Sequence, residues 1–112
     1  MSETVEHLRD LLADFGAVSC RRMFGGWGVF RDGAMFALVV DEAVYLKADN
    51  DSRHRFSERG LPAFSYLRQG RAVSLSYYLA PEEALDDPRA MRPWAELAYA
   101  AARRSQTSAS GR

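Results

Sequence analysis

The sequence has a single cysteine, Cys20, in 112 residues. No intramolecular disulfide can form, which fits a reducing cytosol. It also lacks an excess of either charge: fifteen Lys and Arg balance fifteen Asp and Glu. Duplex-DNA binders usually carry a basic excess, because affinity comes largely from neutralising phosphates. The balance therefore argues against autonomous DNA binding and leaves room for a local basic patch. No apolar run approaches the roughly 18 residues that would span a bilayer. The N-terminus, MSETVEHLRD, lacks the basic segment and apolar stretch of a secretory signal. These absences point to a soluble, cytoplasmic chain without a membrane segment.

Chemistry-bearing clusters are equally scarce. The two histidines, His7 and His54, show no paired spacing, and zinc needs three or four convergent ligands. Asp49-Asn50-Asp51 starts like a calcium loop but continues with Arg53 and His54 where an oxygen ligand and Gly are required. Gly25-Gly26-Trp27-Gly28 fails the dinucleotide fingerprint, since Arg31 stands where a third Gly or Ala belongs, and no Lys-Ser/Thr pair follows for a P-loop. Turn or bulge glycines are the better reading. Cys20 precedes Arg21 and Arg22, but strand neighbours point to opposite faces, so a small buried residue is preferred over an activated nucleophile. Glu82-Glu83 and Asp86-Asp87 sit where helices begin and suit the helix dipole. No catalytic residue, no metal and no other cofactor is expected.

What is present is a packed core. Apolar residues make up 47% of the chain, and thirteen are aromatic. That composition predicts one globular domain. Val5, Leu8, Leu12 and Phe15 share one helical face, so residues 3–15 are expected as an amphipathic helix capped by Ser2 and stopped by Gly16. The stretch RRMFGGWGVFRDGAMFALVVDEAVYLK then packs β-formers between turn signals. Strands are expected at Val18–Phe24, Trp27–Arg31, Met35–Val40 and Ala43–Lys47, with Asp32-Gly33 as the strongest hairpin signal. A short helix near 51–59 follows. Strands are expected again at Pro62–Leu67 and Ala72–Leu79, the second alternating cleanly. Pro88 suits the start of a last helix, which Pro93 interrupts or restarts, running to about Arg104. SQTSASGR, residues 105–112, reads as a disordered polar tail after a domain of residues 1–104. The order α-β-β-β-β-α-β-β-α predicts an α+β fold with about six antiparallel strands and helices on one face.

Charge is unevenly spread. Residues 53–71 hold five arginines against one acid, so Arg53, Arg55, Arg59, Arg68 and Arg71 are a candidate basic patch for nucleic acid or an acidic protein. A solvated surface neutralised by the acidic helices is the alternative. Trp27, Phe30, Tyr45, Tyr66 and Tyr78 are aromatics on or near the sheet. They suit a core, a dimer interface or base stacking.

The segments RRMFGGWGVF, GAMFALVV, AVYLKAD, GLPAFSYL, VSLSYYLAPEEALDDP and PWAELAYAAA together resemble the N-terminal domain of the TfoX/Sxy family of bacterial competence regulators, over about residues 5–104. The resemblance implies a two-layer α+β domain similar to secretion chaperones, a shape that often forms homodimers. It implies a contact-based role, as in co-activators working with the cyclic-AMP receptor protein, and hence a transcription-regulator partner. It supplies no catalytic residues. Full-length family members carry a second, helical domain, so a chain ending at Arg112 is expected to lack what that domain contributes. The candidate contact surface is Arg21, Arg22, Trp27 and Lys47 on the hairpin rim. Rival readings are a nucleic-acid module using the arginine patch, or a ligand-binding protein or enzyme with a pocket over the sheet.

Overall fold

The computed structural model describes residues 2–23 and 25–110, with side chains as far as Gln106. The N-terminal helix α1 (Glu3–Leu11) starts at Ser2, whose hydroxyl accepts from the Val5 amide at 3.1 Å. Glu3 and Glu6 in its first turn favour the positive end of the dipole. The helix ends one turn earlier than its apolar periodicity predicts, because Leu12 leaves helical geometry. The chain then turns so that Phe15 still reaches the core, 5.5 Å ring to ring from Phe36. Val5, Leu8, Leu11, Leu12 and Phe15 are all buried.

Six strands follow: β1 (Val18–Met23), β2 (Gly26–Arg31), β3 (Ala34–Val40), β4 (Ala43–Lys47), β5 (Ala63–Arg68) and β6 (Arg71–Leu79). They form one antiparallel sheet in the order β1-β2-β3-β4-β6-β5. Phe24, the last residue of the expected first strand, lies outside the described residues. Asp32 and Gly33 both take positive φ, 50° and 79°, as a two-residue hairpin turn demands. Gly26 has a different reason to be glycine. A side chain there would drive into the Val39 carbonyl oxygen of the neighbouring strand, so only a bare backbone permits the approach.

The β2–β3 register carries one irregularity. Val29 pairs with Ala37 and Phe30 with Met35, so Phe36 is the extra residue. This bulge lets Phe36 and Ala37 both enter the same core, interrupting alternation inside β3. A β-bulge in one place thus decides which face each later side chain of β3 serves.

The short helix α2 (His54–Ser57) buries Phe56, stacked on Tyr78 and tilted against Trp94. After a single 3-10 turn at Glu82–Leu85, α3 (Pro88–Ser110) crosses the sheet. Asp87 caps it by accepting from the Ala90 amide at 2.9 Å. Pro93 neither interrupts nor restarts α3, contrary to expectation: the helix runs through it. The ring removes one intrahelical donor near the N-terminal end, and Met91, Trp94 and Ala95, buried around it, hold the helix in place. The helix also continues through 105–110, the segment expected as a tail. Residues 105–110 contain no glycine or proline, and Gln106 donates to the Gly33 carbonyl at 3.2 Å; residues 111 and 112 of the expected tail lie outside the described residues.

The helices share one layer. Their buried residues join Val29, Phe36, Val39, Val44 and Leu46 in one core, with Ala95, Ala98 and Ala102 letting α3 lie close to the sheet. The opposite face of the sheet has a second, smaller cluster: Leu38, Phe64 and Tyr77, with Met35, Val40, Tyr45, Tyr66 and Leu75 around them. Every member is a strand residue. The fold is therefore two-layered, α over β, with one face of the sheet left open by the described residues.

Candidate contact surface

The sheet's charge distribution sets up the site. Its six strands carry Arg21, Arg22, Arg31, Lys47, Arg68 and Arg71, and no Asp or Glu. All fifteen acids lie in helices, turns and loops. A chain neutral in total is thus polarised locally, with a basic sheet and acidic connections.

Arg22 and Arg31 belong to the helical side. Arg22 lies over the Trp27 ring at 5.5 Å, and Trp27 packs on the main core. Arg31 sits between the Phe15 and Tyr99 rings, 4.6 Å from each centroid. The open side receives the others. Arg21 pairs with Gly28 and places its guanidinium 4.4 Å from the Phe30 ring. Lys47 pairs with Tyr77, lies 5.1 Å over that ring, and donates to the Ser76 hydroxyl at 2.6 Å. Partial burial lowers the Lys47 pKa, and the nearby Asp49 carboxylate opposes that shift. Arg68 and Arg71 face each other across the β5–β6 turn, on the same face as Tyr66 and Leu75 by strand alternation.

The four residues expected on one hairpin rim therefore separate. Arg21, Arg22 and Trp27 are neighbours on β1 and β2, but Arg21 points to the other face from Arg22 and Trp27. Lys47 stands on β4, three strands from β1. The five arginines of residues 53–71 also fall into two groups. Arg53, Arg55 and Arg59 are exposed around α2, with Arg55 and Arg59 each 5.5–5.6 Å from the Trp94 ring. Arg59 is engaged by Glu83 in a two-pronged ion pair, 2.5 and 2.8 Å. Arg68 and Arg71 form the second group, at the far end of the β5–β6 hairpin.

Other sequence candidates take structural places. Cys20 is half-buried against the core, with the Arg9 guanidinium at 3.8 Å rather than Arg21 or Arg22. The His7 ring nitrogen meets the Leu85 carbonyl at 2.7 Å. Asp49 closes its own loop: its carboxylate accepts from the Asp51 amide and the Ser52 hydroxyl. Arg104 of α3 then clamps it through both oxygens, at 2.6 and 3.0 Å. Among the described residues, no group of three or more His, Cys, Asp or Glu converges as a metal site would require. No helix there is long and apolar enough to cross a membrane.

Two grooves flank the sheet. One, of about 480 Å³, is lined by Val44, Leu61, Leu79, Pro81 and Leu85, with the Arg59–Glu83 pair at its side. The other, of about 470 Å³, holds Lys47, Asp49, Asp51, Ser76 and Arg104. Neither brings a nucleophile beside a base. Beside these grooves lies the open sheet face, for which the sequence offered an interface or a pocket over the sheet. A further signal was available: acids are missing from every strand.

Comparison with known proteins places this geometry in context. The family model described as the TfoX N-terminal domain matches residues 10–102. The chain is 31% identical over 78 residues to DNA transformation protein TfoX1 of Aliivibrio fischeri (strain ATCC 700601 / ES114), covering 70% of this chain and 37% of that protein. It is 31% identical over 74 residues to Protein Sxy of Escherichia coli (strain K12), covering 66% of this chain and 35% of that protein. The matched segment thus spans little more than a third of either relative.

Proposed function

The chain belongs to the TfoX N-terminal domain family, and on that premise we propose that it is a non-enzymatic, cytoplasmic regulatory domain of the competence-regulator type. It works by contact with a protein partner of the transcription machinery, and it self-associates as a homodimer. The observation that carries the contact reading is the family match over most of the chain, joined to a sheet with one apolar face that none of the described helices packs against. Protein recognition by exposed apolar surface needs such a face; catalysis needs a convergent cleft.

The nucleic-acid reading draws less support. The arginines it needs are divided between α2 and the β5–β6 turn, and Arg59 is already bound to Glu83.

Deleting the gene in its own host and sequencing the transcripts tests the regulatory reading. Competence transcripts fall in the deletion strain and return with a plasmid copy. Unchanged transcripts in the deletion strain would refute it. Sedimentation equilibrium of the purified chain tests the homodimer separately, with a mass near twice the monomer expected.

A further inference from the structure

We propose that the open face of the sheet is a docking site for an acidic, amphipathic segment of a partner protein. This deepens the contact-based reading by naming the chemistry of the partner. Three observations carry it.

The face is apolar and partly accessible. Met35, Val40, Tyr45, Tyr66 and Leu75 are each only half-buried, around the fully buried Leu38. Half-buried apolar side chains grouped on one surface gain most when a partner removes their remaining area from water.

The face is bordered by cations and has no acid on its strands. Arg21 flanks it at β1, Lys47 at the end of β4, and Arg68 with Arg71 at the β5–β6 turn. Five inter-strand steps separate β1 from β5, about 24 Å at ordinary strand spacing. Basic groups therefore stand on both sides of an apolar centre. A segment with apolar residues in its middle and acids toward its ends matches that layout.

Arg68 and Arg71 are directly opposed across two strands, an arrangement of like charges that disfavours the hairpin end. Among the described residues neither makes an ion pair. An arriving carboxylate relieves that repulsion as well as adding its own attraction.

The same facts weigh against two other occupants. A second copy stacked face to face would set this cationic border against its equal, so a homodimer must use another surface. Single-stranded nucleic acid would satisfy the arginines but needs open ring faces for its bases. Here Tyr45 and Phe64 pack edge to face at 5.2 Å, and Tyr77 is roofed by Lys47. Between them lie aliphatic side chains, which favour apolar protein groups.

The test is fluorescence anisotropy of the full chain with three labelled probes at low salt. One is a synthetic peptide of about 16 residues with Leu and Phe at helical spacing and Glu flanking them. The second replaces each Glu with Lys, and the third is an oligothymidylate of similar length. The Glu peptide binds at least about tenfold more tightly than the other two, and its affinity falls as salt rises. The exposed double variant Arg68→Glu/Arg71→Glu, checked for an unchanged circular dichroism spectrum, loses about tenfold in affinity. Amide shifts on binding map to Met35, Tyr45, Tyr66 and Leu75. Equal affinity for the two peptides, tighter binding of the oligonucleotide, shifts confined to the helical layer, or self-association abolished by Leu75→Glu would overturn the proposal. These results stand apart from the transcript measurement, so failure of the surface and failure of the regulatory reading are distinguishable.

Discussion

The Tyr77 hydroxyl donates a 2.9 Å hydrogen bond to the Met35 carbonyl, reaching from β6 past β4 to β3. Met35 lies beyond the last β3–β4 pair, Ala37 with Leu46, next to the bulged Phe36. The phenol thus supplies a donor where strand pairing has run out, and the ring covers the end of β4 under the Lys47 ammonium. One side chain ties the open face's cluster to the bulge that shapes the main core.

Tyr77→Phe therefore loses about 1–2 kcal/mol, because the ring's packing survives while a sheltered carbonyl loses its donor. Burial also pushes the Tyr77 pKa up to about 12. A raised folded pKa favours the neutral phenol, so its contribution is complete below the ordinary value of 10.0 and fades as pH climbs toward 12. Urea unfolding at neutral pH checks the first effect. Absorbance titration at alkaline pH checks the second: the latest phenolate step disappears in the variant. A variant as stable as the parent, with that step intact, would show that the bond contributes nothing.

The Asp49–Arg104 clamp joins the loop after β4 to α3, and it carries the clearest acid dependence. The Arg104 guanidinium is the main cause holding the Asp49 carboxyl at about 2, against an ordinary 3.8, with the Ser52 hydroxyl and Asp51 amide assisting. A depressed folded pKa stabilises the ionised form. Its contribution is complete above about 4 and is lost as pH falls through about 2. Arg104 faces solvent, so screening reduces the effect to about 1 kcal/mol. Comparing urea midpoints of the parent and Asp49→Asn at successive acidic pH values isolates this group. The gap between them narrows between pH 4 and 2; a gap that stays constant would refute the assignment.

Much of this fold was readable from local chemistry. Alternation in VSLSYYL and the Asp32-Gly33 turn define strands without tertiary information, and all six strands stand where those signals lie. The β3 segment AMFALVV resists the same reading. It is apolar at every position, so nothing local says that Phe36 and Ala37 go to one core while Leu38 goes to the other. The bulge decides that, and it depends on how β2 pairs. The site was less legible for a related reason. Proximity in sequence joined Arg59 to Arg68, but α2 packs on Trp94 while the β5–β6 turn projects elsewhere, so the patch divides. Lys47 likewise parted from Arg21 because the sheet inserts β2 and β3 between them. Net charge concealed the more useful pattern, since acids confined to helices and turns cancel a basic sheet only in the sum.

The β3–β4 turn offers a stabilising substitution. Asp41 and Glu42 take φ of 52° and 64°, so two consecutive residues with side chains occupy the left-handed region. Asp tolerates that region moderately; Glu pays about 1 kcal/mol for it. The turn keeps Glu because the hairpin register, Val40 with Ala43, demands two residues of this conformation between strands that the core fixes. Glu42 also meets the Thr4 hydroxyl at the surface, linking the turn to α1, but an exposed contact of this kind contributes little. Glu42→Gly therefore raises stability by roughly 0.5–1 kcal/mol, the relief of strain exceeding both the lost contact and the added freedom of the unfolded chain. Asp41→Asn/Glu42→Gly, the preferred pair for such a turn, gains at least as much. Thermal unfolding of the three proteins at neutral pH checks the order. A lower midpoint for Glu42→Gly than for the parent would mean that the Thr4 contact, and not the turn, governs this end of the sheet.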